Sequence, residues 1–324
     1  MKKTLVIIWL WMVFFSICCL ASAQTKEEAM GHAMALAAAM KKSGIDIGSE
    51  YQLIYRMLLP TEPKEKEGVQ TIESYGRFMP SCDVEAMPGE VRVIEAFSEY
   101  NWQVKAFGKL PLKFSLENKY IGLKNTSPVT LPAHLTGLAA GIEVTLPFFT
   151  WEKAYMRIGV KPSFYTDDWS FETSAFRIPT YLYAIYLASD KWSFILGVAV
   201  SPDYENEVWP VIGFIYKPSD KLTFNIIPKR PNITYKLNER IGLFIEGGGT
   251  TDEFEVGRQE KENVVLLYKE KHAGFGLKYK FNEFFLGSFT MGRVFGRTLK
   301  YRDSEGKINV KSGLYTELRI NIQF

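Results

Sequence analysis

Cysteine is almost missing from this chain. Two of its three cysteines, Cys18 and Cys19, lie in the N-terminal apolar segment, which leaves Cys82 alone. One thiol cannot form an internal disulfide or build a thiolate metal site, so a disulfide-stapled domain is excluded. Histidine is equally scarce, with His32, His134 and His272 only. There is no Walker loop, no G-x-G-x-x-G after a strand, no G-x-S-x-G and no H-E-x-x-H. No metal, cofactor or catalytic residue is expected. Net charge is also small, with 39 Lys+Arg against 36 Asp+Glu. Such a balance gives no basic footprint for nucleic acid. After the first 23 residues no apolar run approaches the ~18–20 residues that a spanning helix needs. A chain of this kind is either soluble or crosses a membrane as strands.

What is present is aromatic and strand-like. The chain has 23 Phe, 17 Tyr and 7 Trp, and its apolar fraction of 47% suits a folded protein. Lys2 and Lys3, the run Leu5–Phe15 and Ala21-Ser22-Ala23 read as a signal peptide over 1–23, cleaved before Gln24. Residues 24–48 read as a helical segment: Thr25 and Glu28 make a capping box, Met30, Ala33, Met34, Ala37 and Met40 share a face, and Gly44 ends the run. Residues 49–90 read as a first strand and a loop region. Within it, 60–90 is loop-like, with Pro60, Pro63, Pro80 and Pro88.

From residue 91 the period becomes two. Leu314, Thr316, Leu318, Ile320, Ile322 and Phe324 share one face of the last segment, and Glu317 and Arg319 lie on the other. Thirteen such segments follow one another, joined by tight turns on one side (107–111, 188–191, 217–221, 237–240, 281–283). Longer polar links join them on the other (125–134, 167–175, 250–263, 302–308), the four-residue link Pro228–Pro231 being the exception. Short turns on one side and long loops on the other are the pattern of bacterial outer-membrane barrels, which have an even strand number. The missing strand is then Tyr51–Leu59 or Thr71–Met79. The expected fold is all-β: a transmembrane antiparallel up-and-down barrel of 12–14 strands, 14 preferred, over 91–324, with a short N-terminal helix.

Aromatics gather near the tight turns: Trp102, Phe107, Phe148, Phe149, Trp151, Trp192, Phe281, Phe284 and Phe285. Amphipathic rings favour a membrane interface, so these read as one girdle. The polar faces carry both signs of charge. Lys113, Glu117, Arg157, Lys161, Lys236, Glu246, Lys278, Lys280, Glu317 and Arg319 are the lumen-facing candidates. Lys105, Lys119, Glu95, Glu99 and Glu143 join them by the same alternation, which makes a mixed, mildly basic interior. His272 faces this lumen with Ser288 on the neighbouring strand, the nearest approach to a Ser-His pair. His134 reads as a surface loop residue. Asp167, Asp168 and Glu172 read as a solvated loop, or as an external Ca²⁺ site.

The segment YKPSDKLTFNIIPKRPNITYKLNERIGLFIEGGG (216–249) is similar to a family of uncharacterised outer-membrane β-barrel proteins of Gram-negative bacteria. A Pro-Ser-Asp turn, a short strand, a proline link and a Tyr-x-Leu-Asn-Glu-Arg turn carry the resemblance, which spans roughly 91–324. It implies fold and location, with no assigned reaction and no catalytic residue to carry over. The closing strand ending in Phe324 also resembles the assembly signal of such barrels. The implied partners are outer-membrane lipids, the barrel-assembly machinery during biogenesis and an unknown small solute. The functional expectation is a passive channel or small-solute binding barrel. A structural or interaction barrel with a filled lumen is the alternative, and a lipid hydrolase or acyltransferase the third reading.

Overall fold

A computed structural model describes residues 69–106, 110–148, 153–168, 175–202, 204–228, 230–258, 261–302 and 306–324. The expected signal peptide, the expected 24–48 helix and the strand candidate Tyr51–Leu59 lie outside these residues. Seventeen strand segments follow in chain order: β1 Gln70–Asp83, β2 Glu90–Ala106, β3 Leu110–Asn125, β4 His134–Pro147, β5 Ala154–Val160, β6 Ser163–Thr166, β7 Phe176–Arg177, β8 Thr180–Tyr186 and β9 Trp192–Val200. The second half holds β10 Val208–Ser219, β11 Leu222–Ile226, β12 Asn232–Lys236, β13 Ile241–Arg258, β14 Lys261–Lys280, β15 Phe285–Tyr301, β16 Lys307–Val310 and β17 Gly313–Gln323.

Three pairs of segments are each one barrel strand with a break: β5 with β6, β7 with β8, and β16 with β17. Pro162 and Pro179 account for two of the breaks, since proline has no N–H for the ladder. Their carbonyls still accept, from Ala140 N (2.9 Å) and Lys161 N (2.8 Å). The result is fourteen antiparallel strands. The ring closes where β1 pairs with β2 on one side and with β17 on the other, Thr71 facing Gln323 and Phe78 facing Thr316. A closed ladder satisfies every backbone donor within the ring, a condition that hydrocarbon imposes on any spanning strand.

The missing strand is therefore the second candidate. β1 covers Thr71–Met79, and the loop-like reading of 60–90 is corrected over 70–83. Pro80 is tolerated because it falls at a register irregularity between Met79 and Cys82. A second correction concerns 250–263, expected as a long loop. β13 and β14 run on through it until Arg258 pairs with Lys261.

Alternation gives the barrel two unlike faces. Outward residues include Ile94, Leu116, Leu196, Ile212, Phe275, Leu277 and Leu318, all exposed; Ile212 keeps 68% of its surface open and Leu318 65%. A belt this apolar and continuous is lipid-facing surface, because water would penalise it by about 25 cal/mol per Å². At its tight-turn edge Trp192 stacks on Tyr216 (4.1 Å) and on Phe194 (5.6 Å), and Trp102 lies 6.0 Å from Phe114.

The loop end departs from a simple cylinder. Glu255 of β13 pairs in parallel with Thr166 of β6, although the two strands lie on nearly opposite sides of the ring. Asp167 N donates to Glu255 O (3.2 Å), and Gly257 N to Asp167 Oδ1 (3.1 Å). Val84 bridges Val310. These contacts close a smaller ring at the loop end, made of β13, β14, β15, β16, β1, β2, β3, β4 and β6. Its interior is filled by an apolar core that includes Met79, Val91, Ile121, Leu135, Phe254, Leu266, Leu299 and Ile308.

Candidate pore and its charge layer

Below the apolar core the inner faces of the long strands turn polar. Arg77 on β1 is 4% exposed and sits among three carboxylates. Its Nη1 lies 3.5 Å from Glu95 and 3.1 Å from Glu270, and its Nη2 lies 2.8 Å from Glu317. Glu270 is shared with Arg297 (3.1 Å) and accepts from Tyr268 Oη (2.6 Å). Glu317 is shared with Arg230 (2.7 Å) and Arg319 (3.1 Å). Arg230 also grips Glu246 with two nitrogens, at 2.6 and 2.8 Å, and Arg319 pairs with Glu73. Charges this deep persist only when paired and hydrogen-bonded on several sides. The arginines supply that, because the planar guanidinium presents several donors in a fixed fork.

Two of these pairs cross the bore. Lys119 on β3 binds Asp252 on β13 at 2.6 Å, and Glu95 at 3.3 Å. Arg230, in the link between β11 and β12, reaches Glu317 on β17. Both span several strands of the ring, so this layer is a constriction.

A second group lines the β2–β8 wall. Lys161 binds Glu117 (2.5 Å) and Arg157 binds Glu143 (3.3 Å). Tyr181 Oη donates to Glu143 (2.6 Å), and Lys113 lies 3.9 Å from Glu99. Toward the tight turns, Lys278 places its Nζ 4.9 Å from the centroid of the buried Phe244 ring. Lys236 lies on the opposite face to the exposed Tyr235 and Leu237, and Lys280 on the face opposite Leu277 and Phe281. By contrast, the inner face of β9 to β11 is uncharged up to Ile215, with Ile195, Gly197, Ala199, Gly213, Thr223 and Asn225.

The sequence candidates thus divide. Glu246, Glu317 and Arg319 meet in the deep layer, and Glu117, Lys161, Arg157 and Lys113 in the wall group. Lys236, Lys278 and Lys280 lie toward the tight turns, apart from both. Six members of the deep layer escaped the sequence reading. Glu73 and Arg77 fell in a region read as loop, Arg230 in the proline link and Asp252 in an expected long loop. Arg297 is turned inward by a bulge at Gly296, whose φ of 60° suits glycine and shifts the register against β14. Glu270 was missed as well, although a period of two from Lys278 reaches it.

The Ser-His arrangement is not formed. Ser288 faces Lys278, whereas His272 faces Val294, six residues and about 20 Å further along the strand. His272 instead packs edge-on to Tyr315 at 5.7 Å. His134 is not a loop residue either: it starts β4 and stacks on Tyr120 (6.2 Å). Asp167 is engaged by Gly257 N, and Asp168 Oδ1 accepts from Thr166 Oγ1 (3.2 Å). Phe324 follows β17 as an exposed ring, its N donating to Gln70 O (2.9 Å).

No protein-family model matches the chain, and no curated protein matches it. Among solved structures it is similar to an outer membrane channel from Pseudomonas putida F1, at 9% identity and a TM-score of 0.40, over 82% of this chain and 100% of that one. It is similar to the NanC porin at 7% identity and 0.38, over 78% and 100%. A third is the toluene transporter TodX of Pseudomonas putida, at 11% identity and 0.34, over 80% and 90%. The fold assignment rests on the ring closure and the two-faced strands described above.

Proposed function

We propose that the chain is an outer-membrane barrel that acts as a passive channel or small-solute binding barrel, held closed at its loop end in the state described. The observation that carries this reading is the polar bore inside the apolar belt, shut by two cross-bore ion pairs and the apolar core. A purely structural barrel needs no such charged interior. The N-terminal signal and the girdle support delivery to a Gram-negative outer membrane, with its lipids and the assembly machinery as partners. A filled-lumen interaction barrel is the second reading, favoured by the same core and by the density of pairing around Arg77.

Planar-bilayer conductance separates the two. The intact protein is expected to show little or no current. Asp252→Asn, which releases Lys119, and Arg230→Gln, which releases Glu246 and Glu317, are expected to open resolvable single channels. If neither variant nor their combination conducts while the barrel remains folded, the channel reading fails and the filled-lumen reading takes its place.

A further inference from the structure

The cations of the deep layer each have a carboxylate; five on the outside of the barrel have none. Arg92, Lys124, Lys269, Lys271 and Arg293 are exposed and make no ion pair among the described residues. Arg92 and Lys124 face each other directly across β2 and β3. Like charges in that position repel. The guanidinium of Arg92 lies 5.4 Å over the Phe78 ring, and Glu90, the next outward residue on β2, is exposed and pairs with neither. On the other flank, Lys269 has Thr251 and Thr298 as cross-strand neighbours, Lys271 has Gly249 and Phe295, and Arg293 has Ala273 and Leu314. No carboxylate is among them.

Their position on the strands is the second observation. Four of these cations lie loop-ward of the exposed apolar belt on their strands: Arg92 before Ile94, Lys124 after Tyr120, and Lys269 and Lys271 before Phe275; Arg293 lies at its edge, between the exposed Met291 and Phe295. A row of unpaired cations at the edge of a lipid-facing belt meets the headgroup layer. There each such cation is drawn to anionic lipid by about 1 kcal/mol.

We infer that Arg92–Lys124 and Lys269–Lys271–Arg293 form two phosphate-binding patches for an anionic, phosphorylated glycolipid of the outer leaflet. The acyl chains would lie on the belt and the phosphates between the paired cations. This inference rests on the membrane-barrel reading and goes beyond it.

The test uses the full mature protein folded in neutral detergent, with heat-modifiable gel migration as the check on folding. The probes are lipid A carrying its phosphates, the same lipid dephosphorylated, and inorganic phosphate alone, each read as a shift in thermal unfolding. The phosphorylated lipid is expected to bind at least tenfold more tightly than the dephosphorylated form. That preference should weaken with salt, shrink in Arg92→Gln/Lys124→Gln, and vanish when Lys269→Gln/Lys271→Gln/Arg293→Gln is added. Inorganic phosphate alone should give no shift. Equal binding of both lipids, unchanged preference in the five-site variant, or the full effect from free phosphate would each overturn the inference while leaving a folded barrel intact. A chain that is soluble without detergent and shows no heat shift would overturn the membrane reading together with it.

Discussion

At the scale of single residues, Arg77 organises the deep layer. Among the described residues it is the one side chain that touches Glu95, Glu270 and Glu317 together, and its guanidinium lies 5.6 Å over Tyr75 and 5.2 Å over Tyr315. Removing it would leave three nearly fully buried carboxylates short of a partner. Breaking a buried pair from one side costs about 3–5 kcal/mol, since the remaining charge stays desolvated. Arg77→Met is therefore expected to lower the stability of the barrel in detergent by that amount, read as the denaturant midpoint of unfolding. Arg77→Lys should recover less than half of the loss, because a point ammonium cannot serve three carboxylates at the angles of the guanidinium fork. A midpoint shift below about 1 kcal/mol in Arg77→Met would show that the layer is wet and its pairing inessential. Glycines fit the same interior: a Cβ on Gly159 would overlap the Tyr181 ring, and one on Gly274 the Tyr315 hydroxyl. Tyr181 lies directly across from Gly159 on the next strand, and Tyr315 reaches over Gly292 to Gly274, so each ring covers backbone that a larger residue would displace.

At the scale of elements, legibility followed the strength of alternation. β17 was readable because Leu314, Leu318 and Ile320 face lipid while Glu317 and Arg319 face the bore. β1 was not, because Gly76 and Pro80 interrupt its apolar face and its one inward cation is matched by carboxylates far away in sequence. The ends of β13 and β14 were misread for a different reason. There Phe254 and Val256 point into the apolar core, while Glu253 and Glu255 on the other face are also buried, against the 201–207 loop and β6. A strand enclosed on both faces by protein, with charge on one of them, has no lipid face for the apolar pattern to mark. Phe324 belongs at this scale too. If the terminal ring is read before folding, its deletion should cut outer-membrane yield severely. It should barely change the stability of refolded protein, since the ring is exposed and only its backbone N bonds to Gln70. Arg319→Ala is the contrast: it removes pairs to Glu317 and Glu73, so it should lower refolded stability and spare yield. Equal yields for the Phe324 deletion and the intact chain, by membrane fractionation, would refute the assembly-signal role.

At the scale of the whole molecule, the closure of the ring decides how the protein unfolds. β1 is the keystone because it pairs with β2 along most of its length and with β17 over eight residues. In an antiparallel ring both of its neighbours run the same way, so β2 and β17 are parallel to each other. If β1 is lost they cannot rejoin in the native pattern, because the ring would have thirteen strands and one parallel seam. Two edges would then face hydrocarbon with unsatisfied N–H and C=O groups, a state that membrane strands cannot sustain. The closed ladder is expected to resist cold detergent, so the mature protein should migrate anomalously on an unheated denaturing gel and normally after boiling. Deleting Gln70–Asp83 should abolish that shift outright. The inner nine-strand ring gives a second consequence. β1 also belongs to it, with Val84 just past its end bridging Val310, and the same deletion removes Met79 from the apolar core and Arg77 from the charge layer. Loss of the heat shift should therefore come with rapid cleavage by protease in the 250–258 end of β13, which pairs with β14 and β6 in the intact barrel. A β1 deletion that kept its heat shift would mean that the ring closes without that strand, and the fourteen-strand assignment would fall.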